Sequence, residues 1–183
     1  MTRAGGEPIS LRCVACLGAL RSDVDTQGVR CVACDARYGF SPEGVVRLLT
    51  PEFLARLTPF TAAVAKFRAD RGIGQLEPTL LPRLPAAREK RGDPAWRQRR
   101  ADLRVVRGLL RCALPQRRLH ILEIGAWNHW LTAHIARLGH QVTGVDTFAD
   151  RVDGLGARRW YPDPAWRSVQ LDTRDLRPLG AGW

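Results

Sequence analysis

Two identical pairs, Cys13-Val-Ala-Cys16 and Cys31-Val-Ala-Cys34, are separated by fourteen residues. Thiolates favour zinc, and a CxxC pair on a tight turn aims both sulfurs at one ion, so the two pairs together predict a closed tetrahedral site. A closed shell leaves no position for water. The zinc is therefore expected to be structural, supplying folding energy to a module of about thirty residues that is too small to make a sufficient core. The competing reading, four buried or redox cysteines, has to treat two identical turns as coincidence. Cys112 stands alone and reads as a small helix residue rather than a nucleophile.

A second constellation is cationic. Asp93-Pro94 is a helix start, since Asp accepts unpaired amides and Pro suits the first helical position, and the helix should run to about Cys112. On its wheel Trp96, Leu103, Val106 and Leu110 share one face, with Arg97, Arg100, Arg104, Arg107 and Arg111 together on the neighbouring one. Such an arc suits RNA or another anionic ligand; the plainer reading is a solvated face beside a core stripe. The chain as a whole carries 29 basic and 18 acidic residues, a formal charge of +11. Polyanions are attracted by that balance, although all but Lys66 and Lys90 of the basic residues are Arg, a skew that a GC-rich genome produces without selection on binding.

The elements that must position these groups fall into three stretches. Residues 1–49 hold the cysteines with strand-like flanks, and 43–49 (EGVVRLL) form a short apolar exit strand. Residues 50–117 are a helical linker region. There Phe53, Leu54, Leu57, Phe60, Val64 and Phe67 recur as one buried helical face requires, in one or two helices with a break at Pro59, and 71–85 form an irregular connection. From residue 118 the pattern is strand (118–124), helix (130–139), strand (140–146), a helical connection from Asp150 and a third strand (168–172), which predicts a parallel sheet and an α/β fold. A length of 183 residues suits one ordinary domain with a small satellite. Met1–Leu11 has no apolar signal core and nowhere do about eighteen apolar residues run together, so export and membrane spanning are not expected. A cytoplasmic location follows by default, with the cysteines reduced.

The segment ILEIGAWNHWLTAHIARLGHQVTGVD (121–146) resembles the first motif of class I S-adenosylmethionine-dependent methyltransferases. The cysteine segment is similar to the zinc ribbon that precedes many such domains, Tyr38 and Gly44-Val45-Val46 included. The resemblance implies a partial Rossmann-like sheet with S-adenosylmethionine as cofactor and an unknown methyl acceptor. Gly125 lets the backbone approach the cofactor, Glu123 orients the loop or the methionine amino group, and Ala126 and Asn128 continue the turn. Asp146, twenty-one residues after Gly125, stands where an acid accepts ribose hydroxyls, and Asp172 where one holds the adenine amino group. Four further matches follow in order: Arg68 near Arg71, Leu84-Pro85, Trp96 with Arg99, and Asp153-Gly154-Leu155-Gly156-Ala157 with Tyr161.

Two departures from the family carry expectations of their own. Trp127 and His129 replace glycines of the turn, and side chains there should occupy the cofactor's space or resist a positive φ angle. The family's sheet has seven strands and this sequence offers its first three, so the chain is truncated or a second chain covers the first strand's open edge. No residue is assigned as a catalytic base. The alternative function is a zinc-ribbon adaptor for RNA or protein with a degenerate methyltransferase domain.

Overall fold

The computed structural model describes residues 10–23, 28–71, 76–113, 118–162 and 164–180. The first CxxC turn leads into an antiparallel sheet of β1 (Leu20–Asp23), β2 (Gly28–Cys31) and β3 (Arg37–Gly39), in that spatial order. The next strand, β4 (Val46–Leu48), buries Val46 and Leu48 and exposes Arg47. It does more than leave the ribbon, for it pairs in parallel with β7 (Arg167–Leu171), Val46 opposite Val169.

Helix α1 (Pro51–Asp70) is capped by the Thr50 hydroxyl, which accepts from the Phe53 amide, and Pro51 occupies a position where a missing N–H costs nothing. Pro59 lies inside it without dividing it. Its apolar stripe is not the buried face that the spacing suggested: Leu57 alone is buried, while Leu54, Phe60 and Phe67 are 51%, 56% and 54% exposed. Leu54, Leu57 and Val64 of this stripe line a cleft instead of a core, and the Phe60 ring lies 5.8 Å from the Phe148 ring.

Helix α2 (Pro94–Ala113) begins where Asp93 Oδ1 accepts from the Ala95 amide at 2.9 Å, and it buries Trp96 and Leu103 with Val106 and Leu110 packed beside them. The segment before it holds two short 3-10 turns, Pro78–Arg83 and Arg88–Lys90, within the stretch expected to be irregular. Leu80, Leu81 and Leu84 are buried there, so three leucines bring a proline-rich connection into the core; residues 72–75 lie outside the described ones.

The remaining elements are β5 (His120–Ile124), α3 (Trp130–Arg137), β6 (Gln141–Asp146) and β7, with a 3-10 turn, Leu155–Trp160, between the last two. They form a four-stranded parallel sheet of order β4-β7-β6-β5. Three strands were expected, and the fourth comes from the cysteine-bearing stretch. One face is covered by α2, α3 and the 76–91 segment around Trp96, Trp130, Val142 and Trp166. The other is covered by the ribbon, where Cys13, Cys31 and Tyr38 share a cluster with Val145, Val169 and Leu171. The cysteine module is thus the sheet's second layer and not a satellite; the Arg12 amide, which donates to Pro178 O at 2.6 Å, ties it down further. Among the described residues β5 pairs with β6 alone, and Ile124 at its end is 52% exposed.

Candidate metal centre and strand-end cleft

The Sγ atoms of Cys13, Cys16, Cys31 and Cys34 all lie within 4.8 Å of one another. Three of the separations are 3.4 Å (Cys16 to Cys34), 3.5 Å (Cys16 to Cys31) and 3.6 Å (Cys13 to Cys34). A tetrahedron with zinc–sulfur bonds of about 2.3 Å has edges of roughly 3.8 Å, so the four sulfurs could hold one zinc ion with little adjustment. The two turns repeat each other in detail. Cys13 N donates to Gly18 O and Cys31 N to Ala36 O, while the Ala15 and Ala33 amides each approach a sulfur at 3.4 Å. Leu17 and Asp35 take the same left-handed conformation, φ +60° and +63°. Gly18 is required by space: a Cβ there would lie 3.0 Å from Cys31 Sγ and 3.2 Å from Cys16 Sγ. Burial raises the Cys13 thiol's pKa, but hydrogen bonds from Tyr38 and backbone amides outweigh it and bring the value down to about 6.

The turn after β5 carries left-handed residues at Gly125, Trp127 and His129, φ +75°, +46° and +65°. The amides of Gly125 and Ala126 both donate to Val145 O, folding the chain over the end of β6. Asp146 closes the turn: its Oδ2 accepts from the Trp127 amide at 2.9 Å and its Oδ1 from the Phe148 amide at 3.0 Å. A Cβ built on Gly125 meets nothing within 4 Å, so the space above that backbone is open.

The two side chains expected to obstruct this turn are accommodated elsewhere. His129 is fully buried and points into the core, where a Cβ on Gly144 would meet its ring at 3.1 Å. Trp127 leans onto α2, stacked on Trp96 at 5.9 Å with the Arg99 guanidinium over both rings. The positive φ angles survive because packing around them outweighs strain of about 1–3 kcal/mol each.

Buried hydrogen bonds continue from His129. Ser168 Oγ lies 3.0 Å from His129 Nε2, His129 Nδ1 lies 3.2 Å from Thr132 Oγ1, and the Thr132 hydroxyl donates to Glu123 Oε2 at 2.5 Å. One polarity satisfies all three: Ser168 donates to the imidazole, the imidazole to Thr132, and Thr132 to Glu123. Burial, with Arg158 nearby, depresses His129 to about 3, which keeps it neutral. Burial raises Glu123 to about 7; the Thr132 hydrogen bond opposes this and the Asp146 charge adds to it. Thr132 and Ser168 carried no signal in the sequence, because a lone hydroxyl in a helix or strand is unremarkable.

Residues remote in sequence join the segments around this turn, and one of them, Tyr161, reaches it directly. Arg68 pairs with Asp153 at 2.5 Å, His134 Nε2 meets Leu84 O at 2.6 Å, and the Tyr161 hydroxyl donates to Asn128 O at 2.8 Å. Gly154 and Gly156 allow the 153–157 segment to lie against the backbone of residues 148–151. The Asn128 side chain is fully buried with neither amide atom hydrogen-bonded. Asp172 is bound by Arg174 through two nitrogens at 2.9 and 2.7 Å, hydrogen bonds that depress its pKa. The arginine arc also divides. Arg100 is spent on the carbonyls of Pro85, Lys90 and Arg91, whereas Arg97, Arg104, Arg107 and Arg111 are exposed and form no ion pair among the described residues.

Between α1 and the strand ends lies a cleft of about 830 Å³. Trp127 stands at its β5 end, Phe148 and Gln170 lie at its middle, and Arg47 and the ribbon's Arg37 stand at its β4 end. Open α/β sheets bind ligands at this place, beyond the carboxyl ends of the strands. Comparison with protein-family models and with curated proteins returns no match for this chain. No helix among the described residues is long and apolar enough to cross a membrane.

Proposed function

We propose that this protein is an S-adenosylmethionine-dependent methyltransferase that holds its cofactor over the ends of β5 and β6, with a zinc ribbon as a structural layer beneath the sheet. The observation that carries this reading is the turn itself, in which residues 125, 127 and 129 keep the left-handed conformation of a glycine loop and Asp146 locks it to the neighbouring strand. The residues fit such a cofactor. Backbone can be approached at Gly125, and each Asp146 oxygen accepts one amide and retains acceptor capacity for a sugar hydroxyl. The unpartnered Asn128 amide offers a further donor and acceptor beside the turn; leaving such a group unsatisfied costs about 1–3 kcal/mol.

When bound, the cofactor supplies an electrophilic methyl group on a sulfonium. The chain's part is to position donor and acceptor in line, which accounts for a large share of such a barrier. Trp127 and Phe148 wall the cleft with aromatic surface that limits water, and Glu123 fixes the turn through Thr132 and His129. Asp172, held by Arg174, has no role in this scheme.

Titration calorimetry of the zinc-loaded chain with S-adenosylmethionine tests the proposal. Saturable binding is expected, weakened about tenfold or more in Asp146→Ala and less in Asp146→Asn, which keeps one acceptor oxygen. A folded sample that takes up no cofactor removes this function.

A second reading, an RNA-binding adaptor, is favoured by Arg97, Arg104, Arg107 and Arg111 of α2, exposed and without an ion pair among the described residues. It expects RNA affinity that falls steeply with salt and falls further when Arg104 and Arg107 are reversed to Glu.

A further inference from the structure

We infer that the β4 end of the cleft is a binding site for a small apolar molecule carrying one anionic group, a carboxylate, sulfonate or phosphate. Two independent observations meet there. The first is the uncovered side of α1: Leu54, Leu57 and Val64 of its apolar stripe, with Thr61 and Ala65 beside them, line the cleft. The second is charge. Arg47 lines the same space and is exposed; among the described residues it has no ion-pair partner, and Arg37, which also lines the space, pairs with Asp23 alone, 3.9 Å away.

The third arginine of the wall, Arg68, is already matched by Asp153 at 2.5 Å, so the unmatched positive charge is confined to the ribbon side. An apolar body along α1 with its anionic head between Arg37 and Arg47 satisfies both the surface and the charge. A neutral molecule leaves the guanidiniums unmatched, and a polyanion leaves the apolar wall wet. The sheet order places this site two strands from Asp146, a distance of roughly 10 Å at ordinary strand spacing, so its occupant and a nucleoside at the β5–β6 end would share the cleft. In the methyltransferase reading, on which this part of the inference rests, the amphipathic anion is the methyl acceptor.

Two dyes of like apolar body separate the contributions in the full, zinc-loaded chain: 1-anilinonaphthalene-8-sulfonate, which is anionic, and N-phenyl-1-naphthylamine, its uncharged counterpart. Fluorescence titration should give a single site for the anion, weakened about tenfold in the Arg37→Gln, Arg47→Gln double variant, with the neutral dye altered less than about twofold. Ala65→Trp, which fills the cleft, should abolish both. The inference is overturned if the double variant binds the anionic dye as the parent does, if both dyes weaken alike in it, or if Ala65→Trp leaves the anion bound. Cofactor calorimetry on the same samples keeps the two ideas apart: selective dye binding without cofactor binding sustains the anion site and removes only its role as acceptor site.

Discussion

The cysteine knuckles and the turn after β5 set the same unfavourable backbone and hold it by different means. Leu17 and Asp35 in one region, Trp127 and His129 in the other, are all non-glycine residues at positive φ. In the knuckles the restraint is local: each left-handed residue directly follows the second cysteine of its pair, whose sulfur belongs to the tetrahedron. In the turn it is remote. Trp127 depends on Trp96 thirty-one positions earlier, and His129 on Ser168 thirty-nine positions later. A metal held by the four sulfurs would fix the conformation of its own short loops, whereas the turn after β5 needs much of the fold around it.

Removing the metal should give the largest effect. Because the ribbon covers Val145, Val169 and Leu171, a chelator is expected to abolish cooperative unfolding of ribbon and sheet together, consistent with the roughly 10–16 kcal/mol attached to structural zinc in small peptides. Calorimetric scans with and without chelator measure it. A sheet transition that persists unchanged would show that the second layer is dispensable and would break the comparison at its base.

His129→Ala comes next, at about 3–5 kcal/mol of lost stability, since it opens a buried cavity, removes the acceptor of the Ser168 hydroxyl and takes one of two partners from Thr132, which keeps Glu123. Urea denaturation reads this directly; a loss under about 1 kcal/mol would mean that the turn does not rest on its remote contacts.

Glu123→Gln sharpens the same point through pH. A carboxyl raised from 4.5 to about 7 is protonated more readily in the folded chain, so its contribution is fully present below pH 4.5 and is lost as pH rises to about 7. That loss amounts to at most about 3 kcal/mol, and the Gln variant, which still accepts from Thr132, should lack it. Denaturation midpoints at pH 5 and 8 should converge in the variant; an identical pH slope in both proteins rules the assignment out.

The smallest effect is expected at Leu17→Gly, a gain of up to about 1 kcal/mol, because relief of the left-handed strain exceeds the loss of a partly exposed side chain and is reduced by greater unfolded-chain freedom. A destabilised variant would show that Leu17 contributes packing beyond its turn.

The difference between local and remote restraint also decides what the sequence disclosed. The four cysteines could be read because their spacing alone fixes the chemistry, and β5, α3, β6 and β7 because each is a contiguous run with its own period. Asp146 was singled out by its distance from Gly125 as an acid for ribose hydroxyls, and what the structure shows it doing is accepting the Trp127 and Phe148 amides. What escaped depends on partners far along the chain. A three-residue strand at 46–48 has no signature of membership in a parallel sheet until β7 is beside it, and nothing near His129 says which way the ring turns. The stripe on α1 was read as core because periodicity reports an apolar side without reporting what covers it. Arg100 looked like its neighbours on the wheel because the carbonyls it serves belong to a different segment.

The placement of β4 beside β7 has a consequence for synthesis on the ribosome. Val46 waits for Val169, roughly 120 positions later, so the earliest strand of the sheet is the one that must be kept unpaired longest. A metal-loaded knuckle that folds as soon as it emerges would hold this strand in its proper shape through that interval, serving the nascent chain as a jig against which the late strands are laid.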